Sequence, residues 1–459
     1  MLLIVPDRQF MMPLSFRRLK QGLRLAVRAL TLVEARGLSE RLALQEASRR
    51  FRVRDVDTLR LSHRLLIETL RRLNLINLAV SEALKPLEIR DLRPEARSFL
   101  KLYAYTTLFE DGGVRAYARA GRAVLGVGEF SRVEMALGRL RMMTPEELLE
   151  GLNDVERTAL KTYMPTWFVR YCFRLFGRHE ALRILESMSN PTPIYVRVNT
   201  LRASRDLVVK ECEREGVKLE ADPDLPYLYR VLGWDIPPVH TRAYRRGHYY
   251  IQDKSSCLAV EVADPKPYTT VLDVCAAPGG KTTLMAQKMK NRGVIFSVDY
   301  SDRRTMVLRA ETRRMGVKIC HPVVSDAVNP LPVRVEADVV LVDPPCTSTG
   351  AFGRRPSAKW RITSRSPKTM AELQYRILES SSRHVRRGGV LVYSTCSITV
   401  EENELVVERF LRNNPNFEIA EATPRIGVPA LRGLSECMRL YPHLHGCNGF
   451  FVAKMVRKY

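Results

Sequence analysis

The chain has 459 residues, of which 45% are hydrophobic and 27% are charged. This composition is typical of soluble globular proteins, and it excludes a disordered tail protein, a collagen and a small disulfide scaffold. Lysine and arginine together number 74 against 50 acidic residues, so the formal net charge is +24. Such an excess predicts a polyanionic partner, because side chains that neutralise phosphates release condensed counterions.

Residues 1–155 are predicted to form a small helical bundle. Apolar residues recur at helical spacing in two stretches. They are Leu23, Leu25, Ala26, Ala29 and Leu30, and then Leu59, Leu61, Leu65, Leu66, Leu70 and Leu73. Residues 1–150 carry 27 basic and 18 acidic side chains, and residues 351–400 carry 10 and 2. Either basic region alone is equally typical of a solvated surface, but together they favour nucleic acid as the partner.

The sequence predicts a cytoplasmic protein that is neither exported nor inserted in a membrane. No stretch approaches the roughly 18 apolar residues that span a bilayer, and the apolar run from Met1 is interrupted by Pro6, Asp7 and Arg8. The nine cysteines contain no Cys-x-x-Cys pair, which argues against a zinc knuckle or a thioredoxin-like site. We also expect a monomer.

Residues 156–248 are predicted to form a small α+β module, and residues 249–459 a doubly wound α/β domain. In the module, a helix is expected over 167–176 and a strand over 194–200. In the domain, apolar strands alternate with helices, as in a parallel sheet covered on both faces. The expected strands are 271–275, 294–299, 322–326, 337–343 and 390–396; the expected helices follow Pro278, span 302–314 and 368–387, and begin at Thr399 with a capping box completed by Glu402.

The first of these strands leads into a glycine turn that predicts a nucleoside site. Gly279 and Gly280 let the backbone turn tightly and approach a ligand. A P-loop needs a glycine where this chain has Cys275, and the Gly-x-Gly-x-x-Gly fingerprint is absent. Ligands of open α/β sheets bind beyond the carboxyl ends of the strands, and S-adenosylmethionine fits a site without a phosphate cradle. Four acids lie at or near predicted strand ends, namely Asp273, Asp299, Asp326 and Asp343.

Two cysteines follow predicted strands, Cys346 in Asp343-Pro-Pro-Cys and Cys396 in Ser394-Thr-Cys-Ser. A thiolate at a strand-to-helix turn gains from the helix dipole, which lowers its pKa. Methylation of carbon 5 of a pyrimidine needs such a thiolate, because its addition to carbon 6 makes carbon 5 nucleophilic. A base must then remove the proton from carbon 5. A lone cysteine is more often a core residue, but two beside one cofactor cleft favour this chemistry.

These segments resemble the Nop/Sun (Fmu) family of RNA cytosine-5 methyltransferases. The resemblance rests on the runs 273–282, 298–299, 325–326, 343–346 and 393–396, with 195–201, 250–256, 439–445 and 449–453. The helical region is similar in pattern, charge and position to the NusB-like RNA-binding domain of some bacterial rRNA methyltransferases in this family. The resemblance implies an α/β fold with a Rossmann-like class I methyltransferase domain (249–459). An RRM-like α+β module (156–248) and an all-α NusB-like domain (1–155) would precede it.

The resemblance also implies a cofactor and the roles of the site residues. S-adenosylmethionine would be lined by Cys275, Ala276, Ala277, Pro278, Gly279, Gly280 and Lys281, with Asp299 on its ribose, Arg304 nearby and Asp326 at its adenine end. Asp343 would lie between the cofactor and the cytosine and bind the base. Cys396 would be the nucleophile, and Cys346 would assist release of the methylated base.

Alternatives remain for the roles of two residues. In DNA cytosine methyltransferases the nucleophile follows a proline, as Cys346 does, so spacing alone does not choose between the two cysteines. Lys281 either caps its loop or acts in the site.

The substrate also stays open between two RNA classes. The NusB-like region favours rRNA over tRNA. A catalytically idle RNA-binding assembly factor is the alternative from another functional class.

Two further segments are considered for binding. Trp360 would stack on a base while its basic neighbours bind phosphates, or the segment would form a solvated loop. His443-x-His445-x-Cys447 has metal-like spacing, but zinc usually takes four ligands and no fourth is evident. We therefore expect no metal.

Overall fold

The computed structural model describes residues 15–110 and 113–459. The chain forms two compact units. One reaches to Pro191 and includes Phe352–Arg361, and the other consists of Thr192–Ala351 and Ile362–Tyr459. The predicted domain division at 155 and 248 stays a prediction. Within the described residues, no helix combines the length and the apolar character needed to cross a membrane. The apolar run from Met1 lies outside the described residues.

The first unit is helical, as the spacing of its apolar residues predicts. Its helices are α1 (Phe16–Arg36), α2 (Glu40–Phe51), α3 (Val56–Arg71), α4 (Leu73–Leu84), α5 (Pro94–Phe109), α6 (Val114–Leu125), α7 (Val127–Ser131), α8 (Glu134–Leu140), α9 (Asp154–Lys161) and α10 (Thr166–Ser189). The side chains of Ser15 and Asp55 cap α1 and α3 by accepting hydrogen bonds from backbone N–H groups. Leu23, Ala26 and Leu65 are at most 1% exposed, so the two apolar stripes form the core.

The segment Phe352–Arg361 packs on this helical unit. Trp360 Nε1 donates to the Leu70 carbonyl oxygen (2.6 Å), and the buried Lys359 Nζ donates to that of Arg71 (2.8 Å). These carbonyls lie in the last turn of α3, where helical carbonyls lack intrahelical partners and attract donors and cations. The expectation of a solvated loop is therefore wrong, and the buried Lys359 is not open to phosphates; base stacking on the half-buried Trp360 stays a prediction.

The second unit begins with a four-stranded antiparallel sheet. Its strands are β1 (Tyr195–Val198), β2 (Val217–Ala221), β3 (Leu228–Trp234) and β4 (Tyr249–Ile251), with helices α11 (Arg205–Arg214) and α12 (Arg242–Arg245) between them. The spatial order is β2-β3-β1-β4, and Val196 pairs with Tyr229 on one side and Ile251 on the other. The sheet therefore extends to Ile251.

A mixed sheet forms the rest of this unit. Its parallel part holds β5 (Thr270–Val274), β6 (Val294–Asp299), β7 (Cys320–Val324), β8 (Ala337–Val342) and β9 (Val385–Thr395), with α13 (Lys254–Ala263) before them and α14 (Gly280–Lys288), α15 (Asp302–Met315) and α16 (Ser366–Ser382) between them. The order β9-β8-β5-β6-β7 reverses direction at β5. This order confirms the Rossmann-like fold class and puts the ligand crevice at the carboxyl ends of β5 and β8.

An antiparallel extension, absent from the predicted elements, continues this sheet past β9. It follows α17 (Glu404–Asn413) and consists of β10 (Phe417–Ala420), β11 (Val428–Pro429), β12 (Met438–Leu440), α18 (Pro442–His445) and β13 (Phe450–Arg457). Strand β13 pairs with β9, so that Phe451 lies opposite Thr395, immediately before Cys396.

Two predicted helix boundaries are wrong. The helix expected over 368–387 ends at Ser382, and β9 already begins at Val385. The helix expected to start at Thr399 begins at Glu404 instead. In both cases tertiary pairing outweighs the local signal.

Candidate active site

The turn after β5 has the tight backbone that its glycines predict. Cys275 has a φ of 64° and Gly279 a φ of 104°, both in the left-handed region. A Cβ atom at Gly279 would lie 2.7 Å from Leu308 Cδ1, so a side chain there would be both strained and crowded. The loop Cys275–Lys281 is thus a compact connection from β5 into α14.

Asp299, at the end of β6, hydrogen-bonds to this loop. Its Oδ2 accepts the N–H of Ala277 (3.1 Å), and its Oδ1 accepts the N–H of Ser301 (3.3 Å). Arg304 lies 3.2 Å from Asp299 Oδ2 and donates to the Ala277 carbonyl oxygen at 2.6 Å. The structure therefore brings together three of the predicted cofactor residues.

The donor set fits S-adenosylmethionine. A carboxylate offers about four acceptor positions, two on each oxygen. The contacts above occupy both positions of Asp299 Oδ2 and one position of Oδ1. The second position of Oδ1 can accept a hydrogen bond from a ribose hydroxyl. Asp326 is exposed just beyond β7, with its Oδ1 accepting the N–H of Val328 (3.1 Å). Carboxylates at these strand ends suit hydroxyl, amine and sulfonium groups.

Asp273, on β5, hydrogen-bonds to the helix that follows the glycine turn, and its expected place in the ligand cleft stays a prediction. It is 1% exposed, and its Oδ2 accepts the hydroxyl of Thr282 (2.5 Å). Burial raises its pKa to about 7. Its contact joins β5 to the first turn of α14 and so supports the loop between them.

Lys281 and Asp343 form an ion pair at the carboxyl ends of β5 and β8. Lys281 Nζ lies 2.6 Å from Asp343 Oδ2, and the Ser394 hydroxyl donates to Asp343 Oδ1 at 3.1 Å. Burial lowers the pKa of Lys281, but the charge and hydrogen bond of Asp343 outweigh it and raise that pKa overall. Lys281 is therefore held in its cationic form beside Asp343, and the choice between a loop cap and a direct role in the site stays open.

The two predicted cysteines meet at this edge of the sheet. The Sγ atoms of Cys346 and Cys396 are 3.1 Å apart, and Cys396 Sγ lies 3.4 Å from the Ser348 hydroxyl. The N–H of Gly350 donates to the Cys396 carbonyl oxygen at 3.0 Å. The loops after β8 and β9 thus present both thiols to one position.

The pKa of Cys346 is raised, contrary to the expectation that a helix dipole lowers it. The causes are the hydrogen bond to Cys396, burial, and the charges of Cys396, Glu402 and Asp343. The expected dipole is missing because the next α-helix after Cys346, α16, begins only at Ser366, and the one after Cys396, α17, only at Glu404. Cys346 therefore keeps its proton and can donate it in a hydrogen bond to the sulfur of Cys396.

Sequence reasoning missed the buried polar residues behind the thiols. Glu402, Asn403 and Glu404 are all 0% exposed. Asn403 Oδ1 accepts from the Thr395 hydroxyl (2.5 Å), and its Nδ2 donates to the Ser397 carbonyl oxygen (3.0 Å). Charged residues are almost never fully buried unless paired, so the local sequence contained no signal for this role, and Glu402 was interpreted as part of a helix cap.

Arg197 was also missed as a support of the cofactor loop. It lies on β1, is fully buried, and donates to the Gly280 carbonyl oxygen and to the Thr283 hydroxyl, both at 2.9 Å. Its guanidinium carbon is 5.2 Å from the ring centre of Tyr250. The run 195–201 therefore connects the antiparallel sheet to the glycine turn.

The histidine segment near the C-terminus is occupied by local contacts. His445 Nδ1 accepts the N–H of Tyr441 at 2.9 Å, and Cys447 is fully buried. Across 15–110 and 113–459, no cluster of three metal-binding side chains occurs.

Comparison with known proteins identifies similar chains. A family model described as the 16S rRNA methyltransferase RsmB/F matches residues 260–456, and a model of the ferredoxin-like domain of RsmF/B-like methyltransferases matches residues 164–230. The solved structure of PH0851 is 29% identical, has a TM-score of 0.84, and covers 98% of this chain and 100% of its own.

Curated relatives carry the same similarity. A probable ribosomal RNA small subunit methyltransferase B of Bacillus subtilis is 32% identical over 312 residues, which cover 67% of this chain and 69% of that protein. The 25S rRNA (cytosine-C(5))-methyltransferase nop2 of Schizosaccharomyces pombe is 34% identical over 300 residues, which cover 62% of this chain but 49% of that protein.

Proposed function

The chain belongs to the RsmB/F family of 16S rRNA methyltransferases, and we propose that it methylates carbon 5 of a cytosine in ribosomal RNA. The observation that carries the proposal is the pair of thiols 3.1 Å apart beside the ion pair of Lys281 and Asp343. One thiol suits attack on the base and the other suits its release, which is what methylation of carbon 5 requires.

S-adenosylmethionine supplies the methyl group when it is bound. In this proposal the loop Cys275–Lys281 lines it, Asp299 binds its ribose, and Asp326 contacts its adenine. Arg304 holds both the loop and Asp299 in place. The support for these roles is the free acceptor position on Asp299 and the position of all these residues at carboxyl ends of parallel strands.

Cys396 is the nucleophile in this mechanism. Its sulfur adds to carbon 6 of a cytosine that has left its stack, and the electron pair of the C5–C6 double bond moves to carbon 5, which takes the methyl group. The hydrogen bond from the Cys346 thiol stabilises negative charge on Cys396, which supports this assignment of roles. Asp343, paired with Lys281, accepts a hydrogen bond from the exocyclic amine of the base.

Release of the product needs a proton to leave carbon 5. When that proton is removed, its electron pair restores the C5–C6 double bond and the bond between Cys396 sulfur and carbon 6 breaks. A water molecule accepts the proton from carbon 5, and the Cys346 thiol assists release by donating a hydrogen bond to the departing sulfur of Cys396.

The test compares wild type with Cys396→Ala and Cys346→Ala on unmodified rRNA and tRNA, using a donor with a labelled methyl group. Each protein is scored for labelled 5-methylcytosine and for a protein–RNA adduct that resists denaturant. We expect Cys396→Ala to make neither and Cys346→Ala to accumulate the adduct. Cys320→Ala, which changes a half-buried thiol on β7 outside the site, is the matched control and should behave as wild type.

The other outcomes separate the alternatives. Exchanged phenotypes of the two variants would assign attack to Cys346. Label in tRNA alone would change the substrate class. Absence of label in every RNA, with RNA binding retained, would support the idle assembly factor.

A further inference from the structure

Glu402 is a buried carboxylate that receives five hydrogen bonds from uncharged groups. Its Oε1 accepts the N–H of Thr347 (2.8 Å) and the side-chain amide of Gln374 (2.9 Å). Its Oε2 accepts the hydroxyls of Thr347, Ser397 (2.6 Å) and Thr399 (2.8 Å). Burial of a carboxylate is costly unless its lone pairs are satisfied, and here each oxygen has at least two donors.

These donors come from the two loops that carry the thiols. Thr347 directly follows Cys346, and Ser397 directly follows Cys396. Both residues contact the same oxygen, Oε2 of Glu402. The loops after β8 and β9 therefore share one acceptor oxygen, which each loop binds through the residue that directly follows its cysteine.

Glu402 is itself held from the rigid elements of the domain. The Tyr393 hydroxyl, on β9, donates to the Glu402 carbonyl oxygen at 2.6 Å. Gln374, on α16, also donates to the Pro345 carbonyl oxygen at 2.9 Å. The carboxylate is thus fixed relative to the sheet, and the two loops are fixed relative to the carboxylate.

We propose that Glu402 is a positioning residue that sets the distance and orientation of Cys346 relative to Cys396. The proposal rests on the proposed function for its consequence, since the thiols must reach one cytosine from a fixed geometry. The distance between the two sulfurs in the free protein does not depend on that function.

The charge of Glu402 has a second effect on the same thiol. After the hydrogen bond to Cys396 and burial, the charges of Cys396, Glu402 and Asp343 raise the pKa of Cys346. Glu402 therefore helps to keep the proton on Cys346. Loss of this charge should let Cys346 react with alkylating agents at lower pH.

The test uses phenylarsine oxide, a trivalent arsenical that bridges two adjacent thiols with loss of one water. Its affinity for the protein reports the spacing of the sulfurs without RNA or a methyl donor. We expect Glu402→Gln to weaken binding by roughly tenfold or more, because loops that lose a shared acceptor no longer hold the sulfurs in register. Cys346→Ala should lose the bridged adduct.

Glu379→Gln is the matched control. It makes the same chemical change to a half-buried glutamate that accepts a neutral hydroxyl, that of Tyr375 (2.9 Å), on α16. Its affinity for phenylarsine oxide should equal that of wild type. If folded Glu402→Gln binds the arsenical as wild type does, Glu402 does not position the thiols.

Two further measurements complete the test. If Glu402→Gln does not fold, Thr347→Val removes one hydroxyl to the same oxygen, and unchanged arsenical affinity in that variant would overturn the proposal. In the methylation assay, Glu402→Gln should lower kcat by roughly tenfold or more while KM changes little. Failure of wild type to methylate RNA would overturn the proposed function and leave the arsenical result to decide on Glu402.

Discussion

At the residue scale, the protein buries charged and titratable groups wherever two elements must be held together. Arg439 and Glu404 are at most 1% exposed and form a two-pronged ion pair, and Arg439 Nη1 also donates to the Ile398 carbonyl oxygen at 2.8 Å. The pair therefore connects β12 to the loop of Cys396. Such a pair favours one arrangement of the loop, since breaking it would leave an uncompensated buried charge.

His63 on α3 gives a prediction about pH and stability. Burial lowers its pKa from 6.5 to about 4. Below pH 6.5 the unfolded chain therefore binds a proton that the folded chain refuses, so the free energy of unfolding falls as pH decreases from 6.5 to 4. His63 accounts for a decrease of ~3 kcal/mol in the free energy of unfolding over this pH range.

The measurement is urea unfolding of wild type and His63→Gln at pH 7 and pH 4.5, followed by tryptophan fluorescence. The variant should lose less stability on acidification than wild type. His179→Gln, which changes an exposed histidine on α10, is the control and should follow wild type. Parallel losses in wild type and His63→Gln would contradict the prediction.

At the element scale, the active site depends on close contact between loops that follow different strands. The Gly350 carbonyl oxygen accepts the N–H of Gly449 at 2.9 Å, while the N–H of Gly350 donates to Cys396. A Cβ atom at Gly350 would lie 2.1 Å from the Gly449 carbonyl oxygen. Only glycine lets these backbones approach, because any side chain would meet backbone atoms rather than a movable side chain.

We therefore predict that Gly350→Ala destabilises the protein by ~1–3 kcal/mol through overpacking. It should also weaken the bridging of the two thiols by phenylarsine oxide. Gly138→Ala in α8 is the control, because a Cβ atom there has no neighbour within 4 Å. This control should be neutral or slightly stabilising, as alanine favours helices. Equal thermal midpoints for Gly350→Ala and wild type would show that the close approach is unimportant.

At the scale of the whole molecule, the positive charge lies almost entirely outside the core. Among the described residues, six lysines and arginines are buried, and six aspartates and glutamates are buried with them. Within the part of the chain that the structure describes, the excess positive charge is therefore carried by groups that solvent or a partner can reach. Arg49, Arg50 and Arg54 are exposed at the end of α2 and just beyond it.

This distribution predicts that RNA affinity falls steeply with salt, because each neutralised phosphate releases counterions. Replacement of Arg49, Arg50 and Arg54 by alanine should weaken binding. It should also reduce the slope of log affinity against log salt by about one for each phosphate that the variant no longer neutralises. The measurement is binding of an rRNA fragment from low to physiological salt.

The control removes the same charge elsewhere. Arg183, Arg409 and Arg432 are also exposed but are paired with Glu180, Glu372 and Glu408. Their replacement by alanine should leave the slope near that of wild type. Equal slopes for the two triple variants would mean that net charge alone, and not the α2 arginines, drives binding.

The family, the Rossmann-like sheet, the glycine turn and the two cysteines could be predicted from the sequence alone. These features rest on local patterns: alternation along strands, helical spacing of apolar residues, and glycines where a turn needs a left-handed backbone. The family resemblance and the fold class are confirmed. The roles of Cys396, Cys346, Asp343 and the cofactor residues, the NusB-like comparison and the three-domain division stay predictions.

The hydrogen-bond partners of the buried polar groups are seen only in the folded chain. Glu402 has the spacing of a helix cap, yet its partners Thr347 and Gln374 come from segments distant in sequence. The segment around Trp360 has the composition of an RNA-stacking loop, yet the Trp360 indole N–H donates to the Leu70 carbonyl oxygen at the end of α3. An unsatisfied polar group costs the most free energy where water is excluded. Each of these buried groups therefore takes a hydrogen-bond partner from a distant segment, which the local sequence pattern does not predict.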